Sequence, residues 1–363
     1  MLIIDGHLDL AWNALQWNRD LRYSVHTIRN QELTPEISSS GHGRTLGTVS
    51  LPEMRRGRVA LSFATLLARS TGRTVPDIDY SSPAQAYGIT RGQLAYYRVI
   101  ESQGYARIIT NLAKLDSHLA EWEAWDSDHD DADDAPPPGL VISMESADSI
   151  LSPDQLAEWW EAGLRLLGPA HYGPGRYAGG TGTELGLTDL GPPLLAEMER
   201  LGIILDLTHF SDQAFWQALE RTNGPVLASH NNCRALVPQQ RQFSDEQLRA
   251  IFQRQGVIGV ACDASMLQLG WITGKSTNQS ISLGNLADHI DHICQLAGNS
   301  RHAAIGSDLD GGFGWDQSPH DIDTIADLQK LRGLLADRGY SEADVAAIMH
   351  GNWVRLLRQS WGG

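Results

Sequence analysis

Along the chain, short apolar runs rich in β-favouring residues recur, each ending in glycine or a polar residue and each followed by a stretch of different rhythm. The runs occupy residues 2–9, 59–67, 139–146, 164–172, 202–209, 225–230, 256–263 and 302–311. Between most of them the apolar positions take on helical spacing, as in 188–202 and 211–222. Ser211 and Ser244 stand where helix N-caps are expected, and Gln247, three residues after Ser244, completes a capping box. Strands alternating with helices imply parallel βαβ units, and eight of them predict an α/β fold of the (β/α)8 TIM-type barrel class. One domain over residues 1–363 is expected, with loop and helix insertions at 18–50 and 69–92 after the first and second strands. Both insertions follow the C-terminal ends of strands, where barrel enzymes build active-site walls, and the first contains His26 and His42. The acidic segment DSDHDDADDAPPPG (126–139) precedes a strand instead, which assigns it to the opposite face as a solvated loop. No internal repeat is found beyond the βα unit.

Composition narrows the partners. A net charge of −16 argues against nucleic acid and against an anionic membrane surface. No run reaches the ~20 apolar residues of a membrane span, and no basic segment precedes an apolar one as in a secretion signal. Three cysteines, Cys233, Cys262 and Cys294, are too few and too scattered for a disulfide framework. They are expected as small buried hydrophobes in a protein of the reducing cytoplasm.

The strand ends carry the chemistry. The first run ends in His7 and Asp9, the third in Glu145, the fifth in His209, the sixth in His230 and the eighth in Asp308. Residues i and i+2 of a strand share a face, so His7 and Asp9 can aim at one point. Taken singly, each has an ordinary explanation: a hydrogen-bonded core histidine, an ion-pair partner, a helix cap. Together, on the one rim where parallel barrel strands all end, they are a ligand set for zinc or a similar divalent ion. Five good ligands before Asp308 exceed the needs of one catalytic ion. With Glu145 as a bridge, His7 and Asp9 can hold one ion and His209 and His230 a second, the pair sharing a water or hydroxide of lowered pKa. The carboxylates of Asp9, Glu145 and Asp308 with one hydroxide balance two dications. Asp308 is then left as the proton-transfer group, and Asp310 as a structural hydrogen-bond acceptor.

The motifs DGHLDL, ISMES, AHY, LTHFS, SHNNCRALVPQQRQFSDEQLRAI, AIGSDLDG and HGNWVRLL, in this order, resemble the renal dipeptidase (membrane dipeptidase) family of zinc metallopeptidases, which are amidohydrolase-like barrels. The resemblance runs from His7 to the segment 350–357. It implies hydrolysis of free dipeptides, including ones with a D-residue at the C-terminal position, at a site of two Zn2+ per chain. His7 and Asp9 match the ligands of one zinc, His209 and His230 those of the other, Glu145 the bridge and Asp308 the catalytic aspartate. His171 matches a histidine that contacts substrate and steadies the oxyanion, and Arg241 an arginine that binds the dipeptide's carboxylate. A homodimer is also implied. The chain departs from the family in Leu8 between the first two ligands, in Ser146 and Gln242, and in a glycine-rich loop at 173–186. These changes spare the ligands and bear on substrate identity. The secretion, lipid anchor and disulfide link of mammalian members do not carry over.

Two other readings stay open. One is a different amidohydrolase reaction, on a β-lactam or small amide, at the same dinuclear site. Against its main versions, mononuclear deaminases begin His-x-His where this chain has His-x-Asp, and none of Lys114, Lys275 and Lys330 sits at a strand end to serve as a carboxylated bridge. The other is a catalytically silent binding barrel, which loss of a ligand or of Asp308 would favour; neither is lost.

Overall fold

The structure is a computed structural model that describes residues 1–73, 75–128 and 134–362. The centre of the acidic run, 129–133, lies outside the described residues, as do Thr74 and Gly363. All eight expected segments contain a strand: β1 (Ile3–Leu8), β2 (Val59–Leu67), β4 (Gly139–Glu145), β5 (Leu164–Gly168), β6 (Ile204–Asp206), β7 (Val226–Ala228), β8 (Val257–Val260) and β9 (Ala303–Ile305). A ninth, β3 (Arg107–Ile108), was not expected. It pairs with Gly139 and Leu140, the same residues that β2 pairs from the other side, so it occupies the edge of β4 below the point where β5 begins.

The strands run in the order β2-β1-β9-β8-β7-β6-β5-β4, and β2 pairs back onto β4, closing a parallel (β/α)8 barrel. Several strands are shorter than their apolar runs because the chain leaves the ladder early and continues, still buried, into the rim. Two layers of core follow. A large cluster, with Leu8, Ala64, Leu167, Val260 and Ile305, lies between the sheet and the helices. A second takes Ile4, Leu61, Phe63, Val141, Leu166, Ile204, Leu227, Val257 and Ala304 from the eight barrel strands and so fills the inside. Trp353, from the helix Asn352–Trp361, enters this inner cluster, donates its indole N–H to the Ile305 carbonyl at 2.9 Å and lies edge-on to Phe63.

That plug explains Gly6 in the middle of an apolar strand. A Cβ there would stand 2.6 Å from both the Ser229 carbonyl oxygen and the Trp353 ring. Gly259 and Gly306 crowd the same carbonyl, so only hydrogen fits around it.

The helix signals hold. Ser211 caps Asp212–Arg221 through the amide of Ala214, and Ser244 and Gln247 form the capping box of Asp245–Gln253. The first insertion is tied to the rim by Arg19, which bonds Glu32, Asn13 and the Gly43 carbonyl, and by Asp310, which accepts from the Thr48 amide, the Thr48 hydroxyl and the Val49 amide. Asp310 is thus the structural acceptor it was expected to be. The second insertion is a loop followed by the long helix Pro83–Ser102, capped by Ser82. The three cysteines are buried and unpaired with one another. No helix among the described residues is long and apolar enough to cross a membrane.

Candidate metal centre

Each strand end is shaped by local hydrogen bonds before any ligand is considered. The Asp5 carboxylate accepts from the amides of His7 and Ser307, and the Asp206 carboxylate from those of Thr208 and Ser229. The same device, an aspartate two residues before the turn, stitches neighbouring strand ends in both places. Four non-glycine residues on this rim, Ser146, His209, Asp308 and Asp310, have φ between 57° and 68°. Such backbone costs about 1–3 kcal/mol per residue and gathers where side-chain aim matters more than stability. Asp9 corrects one expectation. It lies past the end of β1 as the N-cap of the helix Leu10–Leu15, with φ −83° and ψ 46°, and the β1–β2 register shifts between Asp5 and Leu8. A turn, not simple strand alternation, brings it beside His7.

The six strand-end residues converge. His209 Nε2 and His230 Nε2 are each 3.2 Å from Glu145 Oε1 and 3.2 Å from one another. Donors about 2.0–2.1 Å from a tetrahedral ion stand about 3.3 Å apart, so this triangle has the edge of a metal tripod. On the other side of the same carboxylate, His7 Nε2 is 3.7 Å from Glu145 Oε2, 3.6 Å from Asp9 Oδ2 and 3.8 Å from Asp308 Oδ1. The groups Glu145–His209–His230 and His7–Asp9–Glu145 therefore share one residue, Glu145.

These residues fit a metal. His7 Nε2, Asp9 Oδ1 and Glu145 Oε1 are buried polar atoms without a hydrogen-bond partner among the described residues, a state that costs several kcal/mol per group unless something fills it. The hydroxyl of Thr181 bonds both His209 Nδ1, at 3.0 Å, and the His209 carbonyl, at 3.3 Å. A carbonyl only accepts, so the hydroxyl proton goes there and Nδ1–H donates to Thr181, leaving Nε2 bare toward Glu145. The Ser229 hydroxyl lies 2.9 Å from His230 Nδ1 and fixes the orientation of that ring too. Fixing one imidazole nitrogen to aim the other is how metal-ligating histidines are oriented.

Without metal the cluster is electrostatically tense. Burial works against the His7 imidazolium, yet Glu145, Asp9 and Asp308 outweigh it and raise its pKa to about 10. Burial lifts Glu145 to about 7 against the pull of His7, and lifts Asp308 well above the usual carboxylate range. Burial also depresses His171, His209 and His230, helped by the charge of Arg241 and neighbouring cationic groups.

The remaining expected residues flank this cluster. His171 lies after β5 with Nε2 3.7 Å from Glu145 Oε1. Arg69, at the end of β2, places Nη1 3.0 Å from His171 Nδ1. Arginine only donates, so Nδ1 accepts and the proton of the neutral ring sits on Nε2, turned toward the cluster. Arg241 is buried and anchored beside His230, bonding the His230 carbonyl at 2.9 Å and Asn231 Oδ1 at 2.7 Å. All of these open on a pocket of about 350 Å³, whose apolar wall includes Trp12, Leu67, Val75, Ile78 and Met266. His26 and His42 are not part of it; they lie near Asp323 and Asp316.

Sequence reasoning passed over Arg69 and Asp263, both pocket residues. The signal was present. Arg69 lies two residues past the end of β2, and Asp263 closes the apolar run 256–263, the same strand-end position that marked the metal-ligand candidates.

Comparison with known proteins agrees with this geometry. The sequence model of "Membrane dipeptidase (Peptidase family M19)" matches residues 1–360. Dipeptidase aclJ of Aspergillus oryzae is 25% identical over 363 residues, covering 98% of this chain and 77% of its own. Among solved structures, the metallopeptidase described as dipeptidase AC, of family M19, superimposes with a TM-score of 0.77 at 26% identity, over 100% of this chain and 99% of its own. A metallopeptidase from Rhodobacter sphaeroides, liganded with a phosphinate mimic of the dipeptide L-Ala-D-Ala, shares the fold at 24% identity and a TM-score of 0.76, covering 99% of each chain. The chain belongs to the membrane dipeptidase family of metallopeptidases, peptidase family M19.

Proposed function

We propose that this enzyme hydrolyses the peptide bond of free dipeptides, including ones ending in a D-residue, with two zinc ions held by His7, Asp9, Glu145, His209 and His230. The observation that carries the two-ion reading is Glu145, whose two oxygens face separate ligand groups, His209 with His230 on one side and His7 with Asp9 on the other. Nitrogen and carboxylate donors near tetrahedral spacing favour zinc. When bound there, such ions polarise a carbonyl and bring the pKa of a water toward neutrality.

The chain's own groups supply the rest. Asp308, beside His7 and facing the pocket, takes the proton of the attacking water and delivers it to the departing amine. His171 offers its Nε2–H to the negative charge that develops on the carbonyl oxygen, held in that tautomer by Arg69. Arg241 pairs with the substrate carboxylate, a match of guanidinium geometry to a planar anion. The apolar wall keeps bulk water from the reacting bond.

The test is metal analysis of protein purified without chelators, followed by a screen of L-L, L-D and D-L dipeptides. Two zinc ions per chain and turnover of at least one class are expected. Fewer than one zinc per chain overturns the two-ion site, and no turnover by the zinc-loaded enzyme overturns the dipeptidase reading.

A further inference from the structure

Four carboxylates line the pocket: Asp9, Glu145, Asp308 and Asp263. The first three belong to the metal-competent groups, and Asp263 belongs to none of them. It stands after β8 as the N-cap of the short helix Ala264–Leu267. Its Oδ1 accepts from the Ser265 amide at 2.8 Å and from Gln317 Nε2 at 2.9 Å, while among the described residues Oδ2 accepts only from the Ser265 hydroxyl, at 2.8 Å. The carboxylate is therefore held in one orientation with acceptor capacity left on Oδ2.

Its neighbours define what that capacity suits. Burial raises the Asp263 pKa, opposed by its hydrogen bonds from Ser265 and Gln317 and by the charge of Arg241, whose own hydrogen bonds go to Asn231 and the His230 carbonyl. Met266 lies on the same turn, its amide donating to the Asp263 carbonyl, and also lines the pocket. An apolar flank thus adjoins a carboxylate that a cation in the pocket would hold ionised. A substrate carboxylate seated on Arg241 would meet a second carboxylate at Asp263. Like charges so placed weaken binding unless the ligand brings a cation between them. A basic side chain on the C-terminal residue does so, its aliphatic stem along Met266 and its charged head at Asp263.

We propose that Asp263 forms a cation subsite that selects dipeptides with a basic C-terminal residue. The proposal rests on the dipeptidase reading above, with Arg241 at the substrate carboxylate.

The experiment compares alanyl-lysine with alanyl-norleucine, which keeps the stem and lacks the ammonium, in both C-terminal stereochemistries on the zinc-loaded enzyme. The kcat/KM ratio is expected to favour lysine by about tenfold or more, and to fall toward one in Asp263→Asn. Asparagine caps a helix as well as aspartate, and an unchanged thermal midpoint checks that the variant folds. Free lysine is likewise expected to inhibit more tightly than norleucine in the wild type, and equally in the variant, a readout that needs no turnover of the cationic substrate. Equal cleavage of the two dipeptides by the wild type, or a lysine preference that survives Asp263→Asn, overturns the subsite and leaves the dipeptidase reading standing. Absence of turnover of every dipeptide removes both.

Discussion

A neutral imidazole can serve as a donor toward a substrate only if something decides which nitrogen keeps the proton. At His171 that decision belongs to Arg69, itself held by backbone bonds to Ile78 and Tyr80 and lying 3.6 Å from Asp79. Arg69→Met is therefore expected to lower kcat by about 10–100-fold, with metal content and KM little changed, and Arg69→Lys to restore part of the loss. Steady-state kinetics with metal stoichiometry checks this, and a full-rate methionine variant would separate Arg69 from His171. Asp308→Asn is expected to keep the metal content of the wild type and lose about 10²–10⁴-fold in kcat; a near wild-type rate would remove Asp308 from proton transfer. Both residues follow strand ends, yet only Asp308 stood out in sequence. An arginine next to a strand is an anonymous surface residue until folding sets it against a histidine 102 positions away.

Among elements, β1 shows how much of a site a local pattern encodes. The apolar run was legible as a strand, and His7 and Asp9 as side chains that meet at one point on the rim. The means by which Asp9 reaches the centre was not, because a turn and a register shift replace alternation there. Leu8, between His7 and Asp9, packs in the outer core cluster, as a residue facing away from the rim should. The order inside the insertions was illegible for a related reason: it depends on long-range bonds such as Arg19 to Glu32 and Asp310 to Thr48. The two-residue β3 is too short for any periodicity to announce. The reason for Gly6 inside an apolar strand, an indole contributed by the helix Asn352–Trp361, lies 347 residues along the chain. Gly6→Ala is expected to cost about 1–3 kcal/mol or more through overpacking, seen as a lower urea midpoint at an unchanged m-value. A midpoint equal to wild type would show that the Trp353 plug can move aside.

For the whole molecule, the buried ligand cluster links stability to pH and metal. His171, His209 and His230 are depressed, so their contribution to stability is complete once pH exceeds their ordinary value of 6.5. His7 is raised to about 10, so its contribution is full below 6.5 and is lost as pH climbs toward 10; Glu145, raised to about 7, loses its own by that point. Metal-free protein is thus expected to lose thermal stability steadily from about pH 7 to pH 10, whereas the metal-loaded form, whose ligands are already deprotonated, holds nearly level. Calorimetry of both forms checks this, and parallel pH curves would refute it. The barrel seam extends the same linkage into time. β1 meets β9 at a single residue pair, Asp5 with Ile305, reinforced by Asp5 holding the Ser307 amide and hydroxyl. During synthesis the first strand must wait for almost the last one, and for Trp353 behind it, before the ring can shut. A ribosome-bound chain that stops short of β9 carries His7 and Asp9 on an open edge. Full convergence of the six strand-end side chains, Asp308 included, is thus expected only after the helix that carries Trp353 has been made.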